Sequence, residues 1–191
     1  MDTQKLLEFI ISLYTLKRLP RIGWIIAGVP KSSVESIADH SYFVALLAYI
    51  LSFFIDGIDK EKLIKLALIH DLSEAIVHDI GGEARKLIPR GIRKRAELEG
   101  LERIIPKEFS ELRWELVGLW REYEKGISKE AQIVRALDKL DMFIQALIYR
   151  EITCIKEGLK DFFDSIQEMT GRKEEILREI FREIEKKIYH D

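Results

Sequence analysis

The chain has 191 residues, 47 % of them hydrophobic and 34 % charged, with a net charge of −2. That is enough for one domain with a real core, and too apolar for a disordered chain. The charge balance leaves no global basic footprint for a nucleic-acid polymer, and the single cysteine excludes an internal disulfide and a cysteine-rich zinc cluster.

The N-terminus mixes acids and a glutamine with its apolar residues and lacks the form of a signal peptide. Leu6, Leu7, Ile10, Leu13, Tyr14 and Lys17 trace one face of a first helix, capped by Asp2 or Thr3 and ended by Pro20. A loop is expected over Leu19–Ala38. It is long for a compact domain and rich in apolar residues, and such loops tend to be functional. A second, broadly apolar helix is expected over Asp39–Ile55. Its most apolar run, Ala45–Ile55, is too short to cross a bilayer, so no membrane partner is expected.

Asp59 caps a third helix through Leu63–Ile80, which Gly81 and Gly82 stop. A charged helical segment over 83–105 is interrupted by Pro89 and Gly91. Helices follow from Pro106 to about Glu124, from Ser128 to about Glu157, over Leu159–Met169 and over Arg172–Tyr189. No strand pattern or repeat is visible. An all-α bundle forming one domain over residues 1–191 is the economical reading, with the cytoplasm as its expected location.

The third helix carries an oddity. Leu63, Leu66, Ala67, His70, Glu74 and Val77 recur at the spacing of one buried face, yet His70 and Glu74 are polar and Asp71 flanks them. An uncompensated buried charge costs about 3–5 kcal/mol, so a cation is the obvious compensating group. His40 opens the apolar second helix, and Asp138 stands beside Ala136, Leu137 and Leu140 on another core-like helix. Taken singly, His40 reads as a cap, His70-Asp71 as a chance pair and Asp138 as a salt-bridge partner of Arg135 or Lys139. Together, a His, a His-Asp pair and a distant Asp on apolar helices suit a divalent ion with open water positions.

This order of residues resembles the HD-domain metal-dependent phosphohydrolases, an all-helical superfamily. KRLPRIGW at 17–24, ESIADHS at 35–41, IHDLSEAIVHDI at 69–80, LWREYE at 119–124 and RALDKLDMFIQALIYRE at 135–151 are similar to its 5′-deoxynucleotidase branch. The resemblance implies a single HD-domain bundle that hydrolyses deoxyribonucleoside 5′-monophosphates. It implies His40, His70, Asp71 and Asp138 as metal ligands, Glu74 and Asp79 as acids beside the metal and the attacking water, and Glu74, Asp79 and Ile80 as the place of a second cation. Arg21 is implied at the phosphate and Trp24 near the deoxyribose. The metal stays open between Mn²⁺, Co²⁺, Mg²⁺ and Zn²⁺. Alternatives are an HD phosphohydrolase acting on triphosphates, cyclic nucleotides or guanosine alarmones, and a non-catalytic helical scaffold around a structural ion.

The sequence departs from the branch at His78, where a small residue, usually Gly, is expected, and at Gly81-Gly82. Lys17, Arg18, Lys31 and Arg85 read first as solvated charges, with a wider positive approach to the site as the alternative. Trp114 and Trp120, with Leu116, Val117 and Leu119, form an apolar stripe read as core. A homodimer face is the alternative there, since the resemblance implies a dimer. Cys154 reads as core, and His190 lies at the chain's end.

Overall fold

A computed structural model describes residues 2–153 and 174–190. Among them the chain is helical: α1 (Thr3–Leu13), a 3₁₀ turn (Tyr14–Lys17), α2 (Ile22–Ile26), α3 (Ile37–Leu51), α4 (Lys60–Ile69), α5 (Glu74–Val77), α6 (Gly82–Leu87), α7 (Arg90–Ile104), α8 (Ser110–Lys125), α9 (Lys129–Thr153) and α10 (Glu175–His190). No strand occurs among the described residues; one isolated bridge pairs Pro20 with Ser36. Cys154 and the helix expected over Leu159–Met169 lie outside the described residues.

Local chemistry sets the helix ends. Asp2 caps α1 through the Lys5 N–H. Ser36 and Asp39 form a reciprocal capping box at the start of α3. Asp59 accepts from the Lys62 N–H at the start of α4, and Gly126, at φ 61°, ends α8 in the left-handed conformation. Pro89 separates α6 from α7.

Two expectations need correction. The Leu19–Ala38 stretch is not an open loop. The Arg21 N–H donates to the Glu35 carbonyl and the Ile37 N–H to the Leu19 carbonyl, which closes the stretch at its neck, and α2 forms inside it. Trp24, Ala27 and Val29 fill the core from there. The Leu63–Ile80 segment is likewise not one helix. It breaks after Ile69 into a tight turn held by Leu72 N–H to Ile69 and Glu74 N–H to Asp71, then resumes as α5. Turns of this i→i+3 kind keep side chains on nearly the same side, so the hydrophobic period runs through the break unaltered.

The core is a stack of stripes. On α3, Ile37, His40, Val44, Ala48 and Leu51 are buried at steps of three and four; α4 contributes Leu63, Leu66 and Ala67; α9 contributes Val134, Leu137, Leu140 and Phe143. Helix α10 closes this cluster with Leu177, Phe181 and Ile184, Phe181 meeting Phe143 edge-on at 6.0 Å. A second cluster joins Phe9, Leu16, Ile69, Leu101, Ile105, Val117 and Trp120. Trp120 and Val117 are thus core as expected, whereas Trp114 stands 82 % exposed.

One polar clamp ties three helices together. Glu130, buried at the start of α9, accepts the Asp59 N–H at 2.9 Å and meets the Lys62 ammonium at 2.9 Å, which also reaches Glu122 on α8. Burial opposes ionisation, but the Asp59 N–H and Lys62 outweigh it and hold the Glu130 carboxyl down at about 2. A depressed pKa stabilises the fold above the ordinary carboxyl value of 4.5 and loses that contribution as pH falls toward 2. Glu130→Ala is therefore expected to cost about 2 kcal/mol near neutrality. In urea denaturation curves measured at successive pH values, the gap from wild type should narrow steadily below pH 4.5.

Candidate active site

The helix stripes deliver polar groups to one point. His40 is fully buried on α3 and His70 is 3 % exposed at the end of α4. Their Nε2 atoms lie 3.2 Å apart. Asp71 Oδ2 sits 3.3 Å from Nε2 of His70 and 3.6 Å from that of His40, and Asp138 Oδ1, from α9, sits 3.3 Å from Nε2 of His40. The four residues implied as ligands thus meet, and donor atoms of His40, His70 and Asp138 fall within 4.8 Å of one another.

The outer nitrogens decide what the inner ones do. Nδ1 of His40 bonds to Asp141 Oδ2 at 2.7 Å, and Nδ1 of His70 bonds to the Ala67 carbonyl at 2.7 Å. Both partners are acceptors, so both rings carry their proton on Nδ1 and turn an Nε2 lone pair inward. Two lone pairs 3.2 Å apart beside carboxylates repel unless a proton or a metal ion lies among them. The electrostatics carry the same demand. Burial and Arg21 depress His40, but Asp138, Asp141 and Asp71 outweigh them and push it up to about 10. Burial also opposes ionisation of Asp138, which His40 and Lys139 nonetheless hold well below the usual carboxylate range. This donor set, two imidazoles and two carboxylates with room for water, fits a divalent ion of the transition-metal or Mg²⁺ kind.

Above the cluster opens a cavity of about 330 Å³, lined by Arg21, Trp24, His70, Asp71, Glu74, Asp79, Ile80 and Asp138 among others. Arg21 Nη1 pairs with Asp71 Oδ2 at 3.2 Å. Trp24 gives the cavity one face while its body is 1 % exposed; Nε1 donates to Glu35 at 2.7 Å and the ring meets Tyr149 edge-on at 5.2 Å. Glu74 lies on the first turn after the break, and its Oε2 is buried without a hydrogen-bond partner among the described residues. Burial, then the charges of Asp71 and Asp79, push it up to about 9. Asp79 spends one oxygen on the Ile22 N–H at 2.8 Å, which fixes the start of α2 at the cavity rim. Of the four surface cations considered, Arg85 lines the cavity, whereas Lys17, Arg18 and Lys31 do not; Lys17 lies over the Tyr14 ring.

Two residues went unassigned in the sequence. Asp141 has as its signal only its place three residues after Asp138, on the same side of a core-like helix. Tyr123, a cavity wall whose ring meets His70 edge-on at 5.5 Å, reads as ordinary packing on α8. Burial and the nearby Asp138 and Asp71 raise its hydroxyl far above its ordinary value, so it remains a donor.

An HD domain profile matches residues 13–185. The chain is 37 % identical to the 5′-deoxynucleotidase HDDC2 of Homo sapiens over 162 residues, which cover 85 % of this chain and 76 % of that protein. It is 39 % identical to the Mus musculus protein of the same name over 160 residues, covering 84 % and 77 %. Among solved structures, a conserved hypothetical protein from Pyrococcus furiosus superposes with a TM-score of 0.79 at 37 % identity, covering 93 % of this chain and 98 % of that one.

The exit from α5 is strained. His78 has φ 61° and ψ 170°, a region that only glycine enters without penalty. Its side chain is exposed and it is not part of the cavity wall. His78→Gly relieves the strain and frees the unfolded chain somewhat, so a net gain of about 1 kcal/mol is expected. Urea denaturation measures it; a loss of stability instead would mean that the imidazole holds contacts worth more than the strain.

Proposed function

The chain belongs to the HD domain family, and from that premise we propose that it is a metal-dependent 5′-deoxynucleotidase, hydrolysing deoxyribonucleoside 5′-monophosphates to deoxyribonucleosides and orthophosphate. The single observation carrying this reading is the facing pair of Nε2 lone pairs of His40 and His70 at the floor of a cavity that also presents Arg21 and an unpartnered Glu74.

In this reading His40, His70, Asp71 and Asp138 hold one divalent ion, with Glu74, Asp79 and the Ile80 stretch offering the place of a second. When bound, such an ion supplies a water of lowered pKa and a Lewis acid for the phosphoryl oxygens. Arg21, held by Asp71, turns its remaining N–H groups toward the phosphate and offsets charge as it builds on the phosphoryl oxygens. With that second place empty, Glu74 holds a proton on its buried carboxyl and delivers it to the leaving 5′ oxygen. Asp79 anchors α2, which keeps Arg21 and Trp24 in register with the acids. The Trp24 face closes the side of the cavity where the sugar lies, leaving little room for a 2′ hydroxyl. Asp141 keeps His40 in the tautomer that ligates.

A homodimer and a cytoplasmic location belong to the same proposal. The dimer rests on an aromatic face of α3 and the turn after it, where Tyr42, Phe43, Tyr49, Phe53 and Phe54 are 52–65 % exposed. No described helix is long and apolar enough to cross a membrane.

Purified protein, stripped of metal and refilled with Mn²⁺, Co²⁺, Mg²⁺ or Zn²⁺, should release phosphate from deoxyribonucleoside 5′-monophosphates in preference to ribonucleotides, 3′-monophosphates and triphosphates. Activity confined to triphosphates or cyclic nucleotides would overturn the reading. Glu74→Gln is expected to lower kcat by about 10²–10⁴-fold while the ion held by His40, His70, Asp71 and Asp138 and the melting temperature stay close to wild type, and loss of that ion along with activity would instead make Glu74 part of a structural site. Asp141→Asn, which no longer holds the His40 tautomer by charge, is expected to weaken metal binding by roughly 10–100-fold, read by competition with a chromogenic chelator.

A further inference from the structure

The cavity above the histidines does not end at Tyr123. A second chamber of about 500 Å³ opens beside it, and Arg85, Glu97, Tyr123, Glu124, Asp138 and Lys139 line both. The far wall is made by two helices. On α7, Arg90, Arg93, Lys94 and Glu97 recur at steps that share one face; on α9, Arg135 and Lys139 stand four apart on either side of Asp138.

The chamber is cationic. Six basic side chains (Arg85, Arg90, Arg93, Lys94, Arg135 and Lys139) face three carboxylates, those of Glu97, Glu124 and Asp138. Glu124 is already paired with Lys94, and Asp138 is turned to His40. Arg93 uses its Nε on the Ile88 carbonyl, while Arg85, Arg90, Arg135 and Lys139 make no ion pair at contact distance among the described residues. Burial, then the charges of Arg90, Arg135 and Arg93, lower the Lys94 ammonium below its ordinary range even with Glu124 beside it. Like charges gathered around open space destabilise the fold unless an anion enters among them.

We propose that this chamber is a subsite for a second phosphate of the substrate, and that the enzyme acts best on deoxynucleoside 3′,5′-bisphosphates. The inference rests on the 5′-deoxynucleotidase reading and narrows its substrate class. With the 5′ phosphate over the histidines and Arg21, a phosphate on the 3′ oxygen lies one sugar width away. That matches a second set of cations separated from Arg21 by the shared wall. The β phosphate of a 5′-diphosphate stays one bridging oxygen from the scissile phosphorus and has a shorter reach. The chemistry at the 5′ end is unchanged: water adds to the 5′ phosphorus, the bond from phosphorus to the 5′ oxygen breaks, and that oxygen leaves with a proton. The products are orthophosphate and the deoxynucleoside 3′-phosphate.

Arg90 and Arg93 line the chamber and not the cavity over the histidines, so they separate the two functions. The test compares thymidine 3′,5′-bisphosphate, thymidine 5′-monophosphate and thymidine 5′-diphosphate on wild type, Arg90→Gln and the double variant Arg90→Gln/Arg93→Gln. It reads steady-state kinetics with the metal-loaded enzyme and calorimetric binding to the metal-stripped protein. Wild type should favour the bisphosphate over the monophosphate by about tenfold in KM and in Kd. The double variant should lose that margin while its kinetics on the monophosphate stay unchanged, with Arg90→Gln intermediate. An equal affinity of wild type for bisphosphate and monophosphate overturns the proposal. So does a loss in the variants shared by both, which is general attraction of anions, and so does an equal gain for the 5′-diphosphate. If wild type hydrolyses none of the three, the 5′-deoxynucleotidase reading fails, while the calorimetric comparison still decides the subsite.

Discussion

The structure depends on a contact that is unfavourable in isolation: the inward-facing Nε2 atoms of His40 and His70, 3.2 Å apart under a layer of carboxylates. Neither ring can turn away. Asp141 and the Ala67 carbonyl hold their outer nitrogens, and apolar packing encloses them. The cost of leaving such groups uncompensated is several times the worth of an ordinary hydrogen bond. Three helices must therefore present their polar groups at a common point to within the tolerance of a coordination shell. The apolar stripes of α3, α4 and α9 do this. His40 and His70 continue the periodic rows that bury Val44, Leu63 and Leu66, so the packing that stabilises the bundle also aims the ligands.

That shared row is why three of the four proposed ligands are legible in the sequence, with Asp71 marked only by its place beside His70. A polar residue on an otherwise apolar face stands out against the 3.6-residue period, and His40, His70 and Asp138 each do so. Asp141 and Tyr123 do not. An acid one turn from another acid, and a tyrosine on a half-apolar helix, look the same whether or not they meet an imidazole. The break after Ile69 was hidden for a geometric reason, since a turn of i→i+3 bonds shifts the side chains too little to disturb the pattern. Trp24 was legible as an aromatic near the site. Its second role, filling the core between Glu35 and Tyr149, depends on how the 19–38 stretch folds back on itself, and no local pattern encodes that closure.

The segment from His78 to Gly82, where the sequence leaves its family pattern, has a physical account in the approach of α2. Gly82 sits at φ 55°, a conformation that favours glycine, and a Cβ there would lie 2.6 Å from Cδ1 of Ile26, whereas one at Gly81 would only touch the Gly23 nitrogen and Ile22 at 3.4 Å. Gly82 thus takes the left-handed turn at the place where the short helix that carries Trp24 lies against the exit of α5. His78 pays no such steric role and is strained instead. Its unusual backbone angles reverse the chain immediately after α5 and bring Asp79 back to the Ile22 N–H. The Asp79 carboxylate thus fixes the rim of the cavity beside Gly81 and Gly82.

A net charge of −2 suggests a chain with little electrostatic character, and the structure shows why that number misleads. The charges are segregated within a few turns of each other. Asp71, Glu74, Asp79 and Asp138 crowd the cavity over the histidines, where Arg21 pairs with Asp71. Arg90, Arg93, Lys94 and Arg135 gather on the other side of Tyr123, and Arg85 and Lys139 line both spaces. An acidic pocket alone would repel a phosphate ester, and a basic one alone would not gather a divalent cation. With Asp138 and Lys139 adjacent on one helix as the seam, the two fields stand side by side, which suits a metal and a phosphate ester together in the proposed reading.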